Sequence, residues 1–361
     1  MNKFKYMAKY GYEQLSYFHD KYTGLKAITC IHNTVLGPAL GGSRFWNYAD
    51  EEEAALDVLR LARGMTYKSA VAGLPLGGGK TVILGDPTEL RRDPIKREAF
   101  WRAFGRYLEG LSGRYITAED VGTSTQDMVF VNMETNNVVG LPGRSGDPSP
   151  FTARGIFRSI MACCKHVYGS NSPEGRTVLI QGVGSVGYYL AKLLHEAEAK
   201  IIVTDLSKEK VDRCIEEFGA TSIPPHATLD TDCDIYAPCA LGATVNENTI
   251  GSLKCSIICG GANNILNDPK ADGLALQARG ITYAPDYLAN AGGVINVSYE
   301  LDQNGYNEEA SRRDIDFIYR RMLDILTISK DSGRLAHEIA DEMAEQRIEA
   351  VRNIKSIYLR P

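Results

Sequence analysis

Between Thr177 and Asp205 the chain reads TVLIQGVGSVGYYLAKLLHEAEAKIIVTD. An apolar strand over 177–180 runs into Gly182-Val183-Gly184-Ser185-Val186-Gly187. The pattern predicts a helix over 188–196 and a second strand over 200–204, closing on Asp205, 23 residues after the first glycine. A bare GxGxxG is weak. The same glycines between a strand and a helix, with an acid at that distance, specify a βαβ unit that holds a dinucleotide. Gly182 permits the tight turn, Gly184 lets the backbone approach a pyrophosphate, and Gly187 lets helix and strand pack closely. The helix N-terminus faces the anion. Asp205 would accept hydrogen bonds from ribose hydroxyls and repel a 2′-phosphate, so NAD is favoured over NADP.

Further strands are expected at 234–237, 256–259 and 281–284, alternating with helical segments. This completes a doubly wound α/β sheet. Ligands bind at strand carboxyl ends, so Ala240 and Asn263, in the loops that follow, are candidate contacts. A chain of 361 residues is long for one domain. The stretch 140–150, GLPGRSGDPSP, is rich in turn residues and reads as the linker. A helix follows over 152–167. Amphipathic helices over 312–329 and 334–352 end the chain.

The hydrophobic share of 44% supplies a sizeable core. A net charge of −5 argues against nucleic-acid and membrane-surface partners. No apolar run reaches membrane-span length, and the N-terminus lacks the apolar core of a secretory leader. The eight cysteines include no CxxC pair and the six histidines form no cluster. Reduced cysteines, no metal site and a cytoplasmic location are the expectation.

The first half carries the unusual residues. Lys26–His32 alternates weakly and reads as a strand. Residues 36–44, LGPALGGSR, read as a loop. Asp50 is placed to cap a helix, with Glu53 at the capping-box position, and that helix would carry Met65 and Lys68 near its end. Lys80 follows Gly77-Gly78-Gly79, twelve residues after Lys68. Glycine is costly in both helix and strand, so the run points to close backbone approach. A phosphate loop fails on register, because GxxxxGK needs glycine at 74 and that residue is Leu74. Residues 81–84 read as a strand, 87–94 as an exposed turn, and Pro94 as the start of a helix carrying Phe100, Phe104 and Leu108. A strand over 115–118 ends in Glu119-Asp120. Acids there line a cleft or cap a turn, and position alone leaves both open.

MTYK with GGGK at this separation resembles the leucine/phenylalanine/valine/glutamate dehydrogenase family. The resemblance covers almost the whole chain: YGYEQ, GPALGGSR, RGMTYK, GGGKTVILGDP, GRYITAEDVGT, the dinucleotide fingerprint, CDIYAPCALGATVN, GGANN and YAPDYLANAGGVINV. It implies a substrate domain over 1–141 with a mixed sheet, also the oligomerisation domain. An NAD-binding Rossmann domain spans 142–331, and a C-terminal helix over 332–361 returns to the first domain. A cleft between the domains would close on the substrate. By the same resemblance Lys80 is the catalytic lysine and Asp120 exchanges a proton with the substrate amino group. Lys68 pairs with the α-carboxylate, helped by Gly41 and Gly42, with Met65 nearby. Ser149 and Thr152 hold the nicotinamide carboxamide. Ala240 contacts the cofactor, and Asn263 contacts cofactor and substrate.

The implied reaction is reversible, NAD-dependent oxidative deamination of an L-amino acid to a 2-oxo acid and ammonium. Hydride leaves Cα only from a neutral amine, so a base is needed, and Asp120 suits. A buried lysine beside a second cation can shed its proton, act as base towards water and stabilise the developing oxyanion. The side-chain pocket implied is Leu40, Ala118, Val139, Val294 and Val297, although two valines three apart are core residues by default. A γ-carboxylate would lie unpaired there at severe cost, so leucine, valine and isoleucine are favoured over glutamate. Phenylalanine-specific relatives tend to carry glycine where this chain has Ala118, and differ at Val294. A valine- or phenylalanine-preferring enzyme, or a non-catalytic NAD-binding regulator, are the alternatives. The regulator predicts loss of Lys68, Lys80 or Asp120, and all three are present. A homo-oligomer, dimer to octamer, is implied. Three departures from the branched-chain members stand out: a longer stretch at 88–97, a shorter linker near Arg144, and glycine rather than alanine at Gly187.

Overall fold

The computed structural model describes residues 2–355. The chain forms two units. The first comprises Met1–Gly146, Val297–Tyr306 and Ala344–Pro361; the second comprises Asp147–Asn296 and Asn307–Met343. The change-over thus falls at Gly146 rather than at 141. Backbone amides of Gly140 and Ser145, and the Ser145 hydroxyl, all donate to the Glu300 carboxylate, which ties 140–145 to the first unit. The stretch expected to return, 332–361, divides at Met343 and Ala344, and its residues 356–361 lie outside the described residues.

The first unit opens with helix α1 (Lys3–Tyr10) and a mixed sheet: β1 (Gln14–His19), β2 (Lys26–Asn33), β3 (Ala39–Leu40), β4 (Ser43–Trp46), β5 (Gly77–Leu84) and β6 (Tyr115–Ile116). Strand order is β1-β2-β5-β3-β6, with β4 also on β5. β1, β2 and β5 run antiparallel, whereas β3, β4 and β6 are parallel to their partners. Helix α2 (Glu51–Val71) covers one face. Ile28, Cys30 and Val82 pack there against Ala55, Val58, Leu59 and Ala62. The other face takes α3 (Pro87–Arg91), α4 (Pro94–Glu109) and α5 (Thr125–Asn132). There Ala27, Ile31 and Ile83 meet Phe100, Trp101, Phe104 and Leu108. Alternate residues of β2 therefore enter two different cores, which is why its sequence alternation is weak.

Four expectations change. The loop expected over 36–44 contains the short strands β3 and β4. The turn expected over 87–94 contains α3, capped by the Asp86 side chain on the Thr88 amide. The capping box is displaced by one residue. Asp50 accepts from the Glu53 amide, but the Glu53 carboxylate accepts from the Ala49 amide. The fourth concerns Gly77, Gly78 and Gly79, which lie inside β5 rather than before it. A Cβ on Gly77 would stand 1.9 Å from the Asn33 carbonyl oxygen, one on Gly78 2.0 Å from the Thr66 amide nitrogen, and one on Gly79 2.7 Å from the Tyr115 ring. Glycine is poor in strands, yet here it is the residue that lets β5 lie between α2 and its neighbouring strands.

The second unit begins with α6 (Ser149–Tyr168), three residues earlier than expected. It then alternates β7 (Thr177–Gln181), α7 (Ser185–Glu196), β8 (Lys200–Thr204), α8 (Lys208–Phe218), β9 (Thr221–Ser222), β10 (Ile235–Pro238), β11 (Ile257–Ile258), α9 (Pro269–Ala278) and β12 (Thr282–Tyr283). All six strands are parallel, in the order β12-β11-β10-β7-β8-β9. This is the doubly wound Rossmann order, with its switch point between β7 and β10. Short helices α10 (Asp286–Ala289) and α11 (Gly292–Ser298) follow. Then come α12 (Glu308–Ser332), which packs on α6, and α13 (Ala336–Lys355).

Candidate active site

In the first unit, Lys80 projects from β5 opposite Cys30 of β2. Its Nζ lies 3.0 Å from Asp120 Oδ2, with the lysine side chain 8% exposed and the aspartate 23%. Asp120 sits in a turn beyond β6. Its amide donates to the Thr123 hydroxyl, its carbonyl accepts from the Thr123 amide, and Gly122 takes φ +81° against the Phe45 carbonyl. Strand β4 is zipped to this turn: the Ser43 amide donates to Ala118 and the Phe45 amide to Val121. That register brings Arg44 Nε to 3.3 Å from the same Asp120 oxygen. Burial alone would push the Asp120 carboxyl up, but the charges of Lys80 and Arg44 outweigh it and hold the group below the usual aspartate range.

Lys68 lies half-buried near the end of α2. The helix reaches β5 at Thr66, against Gly78. Thr66 also meets Nδ1 of the buried His32 at 2.8 Å, and Nε2 of that ring meets the Tyr10 carbonyl at 3.0 Å. Gly41 is pressed between the Gly79 carbonyl and the Met65 side chain, and Gly42 between the Glu119 carbonyl and Asp120. The Gly41 amide is committed to the Ile116 carbonyl, and its own carbonyl accepts from the fully buried Tyr115 hydroxyl at 2.6 Å. Leu40, Val139 and Val297 are buried, while Ala118 and Val294 are half-buried. Val294 belongs to the second unit and the other four to the first.

In the second unit, Gly182 takes φ +92°, and a Cβ on it would meet Ala240 of the loop after β10. A Cβ on Gly187 would lie 2.0 Å from the Gly182 carbonyl oxygen, so α7 seats directly on the turn. Gly184 differs: a Cβ there would meet nothing within 4 Å. Packing within the chain does not explain that glycine. Val183, Ser185 and Val186 complete the turn, and α7 has no side-chain cap on its first amides. Asp205 Oδ2 accepts from the Val183 amide at 2.9 Å and Oδ1 from the Ser207 amide at 2.8 Å. The acid thus braces the glycine turn, and each oxygen keeps a lone pair. Ser149 and Thr152 are in the first turn of α6, with the Ser149 amide on Asp147. The exposed Asn263 accepts through Oδ1 from Asn290 Nδ2 at 2.8 Å.

Arg44, Asp57, Tyr48 and Asn290 were missed by sequence reasoning. Arg44 stands inside the GGSR motif and Asn290 inside NAGG, so a signal existed. Asp57 and Tyr48 carry none, because only the fold brings them to Arg44.

A parallel sheet in this order, carrying this fingerprint, is a dinucleotide-binding domain, and a buried lysine paired with an aspartate is equipment for proton transfer at a substrate. Together they are the parts of a dehydrogenase. Residues 14–137 match the family model described as "Glu/Leu/Phe/Val dehydrogenase, dimerisation domain", and 143–209 and 202–351 match "Glutamate/Leucine/Phenylalanine/Valine dehydrogenase". The chain is 53% identical over 362 residues to a leucine dehydrogenase of Thermoactinomyces intermedius, covering 99% of this chain and 97% of that one. It is 40% identical over 361 residues to a phenylalanine dehydrogenase of the same organism, covering 99% and 96%. The crystal structure of L-tryptophan dehydrogenase from Nostoc punctiforme superposes with a TM-score of 0.85 at 39% identity, covering 97% of this chain and 99% of that one. The chain belongs to the Glu/Leu/Phe/Val dehydrogenase family.

Proposed function

We propose that this amino acid dehydrogenase oxidatively deaminates branched aliphatic L-amino acids, leucine with valine and isoleucine, to 2-oxo acids and ammonium, with NAD. The observation that carries the reading is the buried Lys80–Asp120 pair beside the Gly41-Gly42 backbone. Identity of 53% to a leucine dehydrogenase supports the substrate class. Gly182 to Gly187 would hold the pyrophosphate and Asp205 the ribose, where a 2′-phosphate would meet a carboxylate. Ser149, Thr152, Ala240 and Asn263 would contact the remainder. When bound, the nicotinamide accepts the hydride from the substrate Cα.

The protein's own groups do the rest. Lys68 would pair with the α-carboxylate. The backbone of Gly41 and Gly42 would assist it, with the Gly41 amide also bonded to the Ile116 carbonyl. Asp120, kept ionised by its two cations, takes a proton from the substrate ammonium. Lys80 Nζ gives up a proton to solvent and then takes one from the water that adds to the iminium carbon. Asp120 then returns its proton to nitrogen, takes up the hydroxyl proton as the carbonyl forms, and passes it to the departing ammonia as ammonium. Leu40, Ala118, Val139 and Val297 of the first unit would line the side-chain pocket. An apolar pocket separates neighbouring aliphatics by only about 1–3 kcal/mol per methylene, so all three should react. The match to a dimerisation domain supports a homo-oligomer. Eight free cysteines, mostly buried, support a reducing, cytoplasmic setting.

Lys80→Ala tests the mechanism. NADH binding, read by fluorescence, should be retained while turnover falls by about a thousandfold or more. Near-normal turnover would remove Lys80 from the reaction.

A further inference from the structure

Asp120 Oδ2 carries two cations rather than one. Lys80 Nζ approaches at 3.0 Å and Arg44 Nε at 3.3 Å. Arg44 is held in turn: its Nη1 lies 3.1 Å from Asp57 Oδ2, and that oxygen also accepts from the Tyr48 hydroxyl at 2.7 Å. The charges alternate along one line, Lys80, Asp120, Arg44, Asp57, each between about a tenth and a third exposed. Asp57 comes from α2, Arg44 and Tyr48 from β4 and the turn after it, and Lys80 from β5. Two cations from separate strands thus meet on one carboxylate, and a second acid, from α2, holds the arginine.

We propose that Arg44 is a positioning residue for Asp120: clamped by Asp57 and Tyr48, its guanidinium holds the carboxylate oxygen that Lys80 must release when it turns to the substrate. This rests on the deamination reading above. In that reaction Lys80 cannot stay paired with Asp120 throughout, because its nitrogen has to reach water. Without Arg44 the departure would strand a largely buried carboxylate, which is strongly unfavourable. With Arg44 in place Asp120 keeps a cation and its orientation towards the substrate amine. A lysine at 44 would serve poorly. Arginine spans two acids with a rigid fork, whereas an ammonium on a flexible stem meets one at a time.

The surroundings supply a direct test. A cavity of about 410 Å³ opens beside Arg44, lined also by Trp46, Tyr48, Asp57, Arg60 and Val121. Truncating Arg44 leaves a guanidinium-sized gap that joins this cavity, so free guanidinium can enter.

The experiment measures kcat and KM for leucine with NAD in the wild type, Arg44→Ala, Arg44→Lys and Asp57→Asn, with and without millimolar guanidinium chloride. In Arg44→Ala kcat should fall by about 100-fold, the scale of removing one preorganised charge from an active site. KM for leucine, set by Lys68 with Gly41 and Gly42, and NADH affinity should stay near wild type. Guanidinium should raise kcat of Arg44→Ala, while equal concentrations of sodium chloride or methylammonium do less, and it should not help the wild type. Arg44→Lys should recover only part of the loss, and Asp57→Asn should show a smaller loss in kcat alone. Wild-type kcat in folded Arg44→Ala overturns the proposal, as does a loss that neither guanidinium nor lysine relieves. Should Arg44→Ala not fold, unchanged kcat in folded Asp57→Asn overturns it. A wild type inactive on every amino acid offered would instead defeat the deamination reading.

Discussion

His32 shows how one buried side chain sets a pH limit. Burial pushes its ring down to about 4 from an ordinary 6.5. Neutral, it bonds the Tyr10 carbonyl and the Thr66 hydroxyl, and so ties β2 to the helix that carries Lys68. The unfolded chain binds the proton more readily, so stability is full above about pH 6.5 and declines as pH falls towards 4. The loss should reach about 3 kcal/mol, since each pKa unit is worth about 1.4. Urea midpoints between pH 4 and 7 should show a slope in the wild type that is shallower in His32→Gln. Equal slopes would mean that other groups carry the acid sensitivity. At the same scale, Gly78 is fixed as glycine by the Thr66 backbone against it.

Helix α2 is the element that joins stability to the site. Its C-terminal carbonyls need partners, and Arg347 of α13 supplies them, donating to Ala70 at 2.9 Å, Gly73 at 3.0 Å and Ser69 at 3.4 Å. Tyr67 adds a bond of 2.6 Å to Glu345. Arg347→Ala should therefore loosen the end of α2, at a cost of about 1.5–3 kcal/mol for hydrogen bonds to a charged donor. Amide exchange across 66–76 should rise and KM for the amino acid should increase, with NADH affinity unchanged. Unaltered exchange there would show that α2 is held without this cap. Elements of this length were legible in the sequence: α2, α4 and the β7–α7–β8 unit follow from periodicity, caps and glycine spacing. The strand β6 was legible too, but the short strands β3 and β4, and the glycines inside β5, were not. Their conformation comes from partners distant in sequence, such as Ala39 beside Gly77 and Tyr115, which no local propensity encodes.

At the scale of the molecule, the proposed catalytic residues Lys68, Lys80 and Asp120 lie in the first unit, and the fingerprint and Asp205 in the second. Lys80, Asp120, the fingerprint and Asp205 stood out in the chain because they adjoin glycines or a strand end, and Lys68 through the resemblance carried by MTYK with GGGK. Asp57 and Tyr48, which hold Arg44, emerge only from the fold, as does the bond from Asn290 to Asn263. The central claim is that these two sets serve NAD-dependent deamination of branched aliphatic amino acids. It is tested most directly by NADH formation at alkaline pH with leucine, valine, isoleucine, phenylalanine and glutamate offered separately, each with NAD and with NADP. Strong turnover of leucine, valine and isoleucine with NAD, and little with glutamate or with NADP, is the expected result. A preference for phenylalanine or glutamate would contradict the pocket, equal use of NADP would contradict the role of Asp205, and no turnover with NAD binding intact would contradict the account as a whole.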